Sequence, residues 1–199
     1  TATDPAISYS MAEYPQSMKP SFPLWRIRCN GTTISFATID PEEIRKLGEI
    51  KAEIDAFDFG KYNNSIIICG YGEPTCALDN LTEACKHLKS KGISIRLNTN
   101  GLSDLINKRE TAKEICEVVD SVSISLNAPT AEKYNEVTRP SFGEKSFDAM
   151  LKFAKECKEY GIPTKLTVVD VISKEDIDAC YKLCEKIDIP LRVREYTAE

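Results

Sequence analysis

Hydrophobic and polar positions fall into a regular rhythm from about residue 41 onward. Ile44, Leu47, Ile50, Ile54 and Phe57 recur at the three-to-four spacing of one helix face. Ahead of them, Asp40-Pro41-Glu42-Glu43 offers an N-cap, a proline at the first helical position and acids in the first turn, so a helix is predicted to begin there. Ser65–Cys69 is a short β-branched apolar run stopped by Gly70, the signature of a buried, parallel strand. The alternation then repeats. It predicts a helix over 78–90 closed by Gly92, a strand over 93–98, and a helical stretch over 102–119 broken near Arg109. A strand over 121–126, a short helix over 131–137 and a longer one over 146–160 ended by Gly161 come next. Strand 163–170, helix 173–187 and strand 191–196 complete the series.

Strands alternating with helices of this length imply βαβ units and a parallel sheet, an α/β fold with right-handed crossovers. Five such units are visible, or six if a strand precedes them. Residues 1–23 carry Pro5, Pro15, Pro20 and Pro23 among serines and threonines and read as extended or irregular. Two apolar-rich runs, Leu24–Arg28 and Thr33–Ala37, are candidate strands. The expected organisation is an irregular lead-in over 1–40 containing a possible first strand, followed by a β/α core over 41–199. The pattern fits a doubly wound sheet and a partial barrel alike.

Composition narrows the function classes. The chain has 199 residues, 42% of them hydrophobic and 29% charged, with a formal net charge of −5, the profile of a globular domain and not of a basic nucleic-acid binder. The basic run Lys86–Lys91 reads as one solvated helix face. No apolar stretch is long enough to span a bilayer, and the first residues lack the basic and apolar regions of a signal peptide. Eight cysteines lie mostly on apolar faces, where they behave as small hydrophobes, and the expectation is a cytoplasmic protein with reduced thiols. The chain begins at Thr1 rather than Met, which leads us to expect a fragment or a processed protein.

Candidate chemistry gathers where parallel β/α proteins place it, just past the carboxyl ends of the strands. There stand Gly70-Tyr71-Gly72-Glu73-Pro74-Thr75, then Asn98-Thr99-Asn100-Gly101, then Ser123–Pro129, then Asp170, then Arg192–Tyr196. Such segments are also ordinary βα turns, which favour glycine, asparagine and serine. In the first of them two glycines permit close backbone approach to a ligand, Pro74 fixes the exit, and Glu73 is an acid able to hold an amine. No Lys-Ser/Thr ending marks a phosphate cradle. His87 is the one histidine, so a Ser-His-Asp or Cys-His nucleophile has almost no support. An acid–base pairing of Glu73 with Asp170 or Glu195 stays open.

These segments resemble those of the radical S-adenosylmethionine (SAM) superfamily. Gly-Tyr-Gly-Glu-Pro-Thr is similar to the family's Gly-Gly-Glu-Pro motif, Asn98–Gly101 to its Thr-Asn-Gly turn, and Ser123–Asn127 to the segment ending its fourth strand. Order and spacing match over roughly 41–196. The stretch 127–196, with Arg139-Pro140-Ser141-Phe142-Gly143-Glu144 and Arg192–Tyr196, resembles the branch associated with TatD-type nucleases. The resemblance implies a partial (β/α)6 TIM-like barrel with SAM and a 4Fe–4S cluster at its carboxyl-terminal mouth. It implies that Gly70, Gly72, Glu73 and Pro74 bind the methionine amino group, with Asn98 and Asn100 beside them. Ser125 and Asn127 would contact the ribose and carboxylate, Arg139 would pair with the carboxylate, and Arg194 would line the pocket. A TatD-type nuclease is the partner it suggests.

The sequence departs from the family at one point. The family holds its cluster with Cys-x3-Cys-x2-Cys after the first strand, and no such spacing occurs here. Cys29 stands alone before the first secure strand, Cys69 reads as strand core, and Cys180 with Cys184 reads as helix packing. The expectations are therefore a radical SAM-type domain or a non-catalytic relative keeping the barrel core as a binding module.

Overall fold

The computed structural model describes residues 25–29, 32–36, 47–70 and 73–196. The expected helix start at Asp40-Pro41 lies outside the described residues, as does most of the lead-in. Two strands fall within that lead-in, β1 (Trp25–Cys29) and β2 (Thr32–Phe36). Helix α1 (Leu47–Ala56) leads into β3 (Ser65–Gly70), α2 (Leu78–Ser90) and β4 (Ser94–Thr99). Then come α3 (Ser103–Asn107), α4 (Ala112–Val118), β5 (Ser121–Ser125), α5 (Ala131–Thr138) and α6 (Lys145–Glu159). Strand β6 (Thr164–Val169), α7 (Lys174–Ile187) and β7 (Leu191–Arg194) close the series.

Strand order in the sheet is β2-β1-β3-β4-β5-β6-β7. From β3 to β7 every neighbour is parallel and next in sequence. Right-handed crossovers that never reverse direction lay all their helices on one side of the sheet. A doubly wound sheet needs a reversal of strand order, which these five strands do not have. Helices α1, α2, α4 and α6 accordingly pack each against the next as one layer. This is the winding of a partial barrel. Among the described residues five strands are parallel; beside β3, β1 runs antiparallel, and β2 folds back on β1 as a hairpin. A two-residue link between β1 and β2 leaves room for a hairpin and none for a crossover helix.

Period-two alternation sorts the strands into two faces. Ile66, Ile68, Ile95, Leu97, Val122, Ile124 and Leu166 are buried under the helices. Each helix answers with a stripe at helical spacing, such as Leu81, Ala84, Cys85 and Leu88 on α2, and Met150, Phe153, Ala154 and Cys157 on α6. Cys180 and Cys184 of α7 are 0% and 3% exposed, the packing role expected of them. Cys69 corrects the sequence reading. It sits half-buried on the opposite face, one residue past the helix-facing Ile68.

The break expected near Arg109 is real and has a cause. Asp104 Oδ1 accepts hydrogen bonds from Thr111 N (2.9 Å) and Thr111 Oγ1 (2.8 Å), and Lys108 takes a left-handed φ of 56°. The left-handed Lys108 ends α3, and the Asp104 carboxylate ties that helix to Thr111, the residue before α4. The Lys86–Lys91 run is the solvated face expected: Lys86 pairs with Glu83, Lys89 with Asp120, and Lys91 with Asp55. His87, in the last turn of α2, also binds Asp55, at 2.8 Å. No helix among the described residues is long and apolar enough to cross a membrane.

Candidate functional site at the carboxyl edge of the sheet

The carboxyl ends of β3 and β4 are joined by one side chain. Glu73 Oε1 accepts from Thr75 N (3.1 Å), Thr75 Oγ1 (2.8 Å) and Thr99 Oγ1 (2.7 Å), and Oε2 accepts from Asn100 N (2.7 Å). A carboxylate offers about four acceptor sites, and four donors occupy them. Glu73 is 5% exposed, so its carboxylate is turned into the protein and not toward the mouth as expected of an amine-binding acid. The cause is local. Pro74 opens a 3-10 turn over Pro74–Ala77, and Glu73, in extended conformation, is its N-cap, which directs the side chain back over the first turn. Burial pushes the Glu73 pKa up, against the four hydrogen bonds, which pull it down.

Around this latch the turn after β4 is fully bonded. Thr99 Oγ1, having donated to Glu73, accepts from Gly101 N at 3.1 Å, and Asn100 Oδ1 accepts from Leu102 N at 2.9 Å. Asn107 Nδ2 donates to Thr75 O (3.0 Å) and Ser103 O (2.9 Å), tying α3 to the β3 loop. Gly101 is required by geometry: its φ is +76°, and an added Cβ would lie 2.8 Å from Ile124 Cγ2 and 2.9 Å from Met150 Cγ.

The structure gathers most of the sequence-predicted residues at this edge. Gly70 is the last residue of β3, Pro74 is buried, and Asn100 is held by Glu73. Gly72 lies outside the described residues. Asn98 and Ser125 occupy the sheet face away from the helices, and the Asn98 Oδ1 is buried with no hydrogen-bond partner among the described residues. Asn127 follows with a left-handed φ of 59°, its N–H donating to Thr167 O at 3.3 Å. Arg194 ends β7 on that same face, opposite Val169. Arg139 stands apart: it is exposed and serves as the left-handed C-cap of α5. Asp170 accepts from Tyr196 N, and it follows β6, with β4 and β5 lying between that strand and the β3 that precedes the buried Glu73, so no acid–base pair with Glu73 forms.

Sequence reasoning passed over Thr75, Thr99 and Asn107, the partners that hold the latch, because ordinary turn residues announce no role. It also passed over Arg96, Lys165 and Arg192 on the free sheet face, although their alternation with apolar residues was a legible signal.

Cluster ligands were tested by register. Strand β1 runs antiparallel to β3 with Trp25 opposite Gly70 and Arg28 opposite Ile67. Cys29 therefore lies toward the amino end of β3, whereas Cys69 and Cys76 flank its carboxyl end. Among the described residues no three Cys, His, Asp or Glu side chains converge as a metal site. These cysteines do not fit a 4Fe–4S cluster, and no chemistry is derived through one.

Known proteins share this fold and family. The family model of the radical SAM superfamily matches residues 27–185. A Methanocaldococcus jannaschii protein named as a putative glycyl-radical enzyme activating enzyme is 27% identical over 134 residues, covering 64% of this chain and 53% of that protein. An uncharacterized protein of the same organism is 32% identical over 97 residues, or 48% of this chain and 32% of its own length. The chain thus spans about half or less of these curated relatives. Among solved structures, Streptococcus suis SuiB bound to precursor peptide SuiA superposes with a TM-score of 0.56 at 23% identity, over 86% of this chain and 37% of that one. TYW1 with a lysine–pyruvate adduct superposes with a TM-score of 0.52 at 20% identity, over 78% and 51% respectively. At these identities the two structures speak for the fold alone.

Proposed function

The chain belongs to the radical SAM superfamily, and on that premise we propose that it is the SAM-binding core of such a protein, holding the cofactor at the carboxyl edge of β3–β5. The family uses SAM with a 4Fe–4S cluster, and its chemistry is radical cleavage of SAM. The observation that carries the reading is the Glu73 latch. It ties Glu73–Thr75 to the Thr99–Asn100 turn, so that parts of two segments similar to the family's SAM loops are held side by side. With its carboxylate occupied, Glu73 acts by positioning. The backbone of Gly70, Gly72 and Pro74 would take the amino group. Asn98 and Asn100 would line the floor, Ser125 and Asn127 would meet the ribose and carboxylate, and Arg139 and Arg194 would approach from the side. A cytoplasmic setting belongs to the same proposal, supported by the free thiols of the described cysteines. Association with a TatD-type nuclease rests on the sequence of 127–196 only.

Titrating the full chain with SAM, read by amide chemical shifts, tests this. Saturable shifts at residues 98–101 and 125–127 are expected, and they should be lost in Glu73→Ala. Shifts that never saturate, or that map elsewhere, would sink the proposal.

A second reading, a non-catalytic relative that keeps SAM or partner binding, is favoured by the register that sets Cys29 at the opposite edge from Cys69. Anaerobic iron–sulfur reconstitution of the full chain with iron counting and an assay for 5′-deoxyadenosine separates the two. A filled cluster with product formed removes the second reading; an empty chain that still binds SAM supports it.

A further inference from the structure

We propose that the free face of the sheet over β6 and β7 is an oxyanion site, at which Lys165 and Arg192 grip a carboxylate or phosphate of the substrate. The proposal builds on the SAM-binding reading and adds the substrate class to it.

The argument begins with placement. The five parallel strands contain four cations, Arg96, Lys165, Arg192 and Arg194, and no acid. Register puts all four on one face. Arg96 lies beside Ile67 and Ser121, Lys165 beside Ser123, Arg192 beside Thr167, and Arg194 beside Val169. The alternate positions, such as Leu97, Leu166 and Val168, face the helices and are buried. Cations scattered for solubility alone would have no reason to concentrate on the one face that also carries the SAM-site residues Asn98 and Ser125.

Lys165 and Arg192 are diagonal neighbours on adjacent strands, about 5 Å apart in the hydrogen-bonding direction. Lys165 is half-buried, and burial followed by the charges of Arg96 and Arg192 pushes its pKa down. It has no carboxylate partner among the described residues. Other lysines without an ion pair among the described residues, such as Lys113, Lys155 and Lys182, are exposed to water, which sets the half-buried Lys165 apart from them. A half-buried lysine beside the like charge of the exposed Arg192 is an arrangement that an anion between them would relieve. Arginine contributes a planar fork and lysine a compact charge, a pairing suited to an oxyanion. Apart from Arg139 after α5 and Arg194 at the very end of β7, the SAM residues lie at the ends of β3–β5; Lys165 and Arg192 sit further back along β6 and β7, so an anion held between them belongs to a second molecule beside the cofactor.

The test uses the full chain, labelled for NMR, with inorganic phosphate and succinate as probes at ionic strength matched with chloride. Saturable amide shifts confined to residues 164–169 and 191–194 are expected. Preference for phosphate or for succinate tells which oxyanion the site favours, and either supports the proposal. The double variant Lys165→Met/Arg192→Met should bind the probe about tenfold more weakly or worse, as loss of charge-assisted hydrogen bonds requires, with its melting temperature unchanged or raised. Shifts matched by chloride, meaning an adventitious ion only, would overturn the proposal. So would undiminished binding by the double variant, or a large fall in its melting temperature, which would show the cations paired within the protein. SAM affinity of the double variant should stay within about twofold of wild type. A tenfold loss there would assign the anion to the SAM carboxylate and remove the substrate claim while leaving the cofactor reading intact. Oxyanion binding without any SAM binding by the wild-type chain would remove the cofactor reading and leave the anion site standing.

Discussion

Along β4, Ile95, Leu97 and Thr99 are buried beneath helices, while Ser94, Arg96 and Asn98 alternate with them at greater exposure. The same division runs through β6, where Leu166 and Val168 are buried on one side and Lys165 stands half-buried on the other. One side is hydrocarbon beneath the helices; the other is polar and cationic, with Ser123 and Thr167 buried and Arg96, Asn98 and Lys165 half-buried. A strand that served only stability would gain by filling both sides with apolar groups in a full barrel interior. The contrast teaches that these strands divide their side chains between folding and binding at every second residue.

Substitutions can break this contrast or sharpen it. The largest expected loss is from Leu97→Ala. Its side chain is 0% exposed in the sheet-to-helix layer, and the cavity should lower stability by about 3 kcal/mol in chemical denaturation. Glu73→Ala should follow at about 2 to 3 kcal/mol, because buried donors on Thr99 and Asn100 lose their acceptor. Glu73 also gives a pH signature. Burial raises its folded pKa, so the folded state binds more protons than the unfolded state between the ordinary glutamate value and the raised one. Its contribution is fully present below the ordinary value and declines as pH rises through the raised one; Glu73→Gln should flatten that slope in melts recorded across the range.

Gly101→Ala is expected to cost about 2 kcal/mol, through a left-handed backbone and a methyl pressed against Ile124 and Met150. The smallest effect is on the open face. Lys165→Met should change stability by less than about 0.5 kcal/mol, or raise it slightly, since it relieves crowding with Arg96 and Arg192. A loss comparable to that of Leu97→Ala would mean that the two faces are equally structural.

Helix α2 was legible to the residue, because Leu81, Ala84, Cys85 and Leu88 form an unbroken stripe and Gly92 follows. The interruption between α3 and α4 was legible as well, through the polar Lys108–Glu110 segment. The direction of β1 was not, since period two is the same whether a strand runs up or down; only pairing with β3 decides it. Nor was the orientation of Glu73, because its four partners come from residues 75, 99 and 100 and require the fold to meet. The latch residues at Thr75 and Thr99 look in sequence like any turn. Arg96, Lys165 and Arg192 could have been found by asking why charged residues recur at alternate positions inside strands that are otherwise apolar.

The bond from Asn100 N to Glu73 Oε2 has one more consequence, in the time domain. An amide in a four-residue turn at a sheet edge ordinarily trades its proton with water through small local openings. This one is held by a buried carboxylate whose other oxygen is fastened to two threonines, so freeing it requires several groups to let go together. Its exchange rate should track the cooperative opening of the rim and not the fraying of a loop. Asn100 is thus a natural reporter. The slowing of its proton exchange when a ligand arrives would measure how firmly the two sides of the mouth are joined.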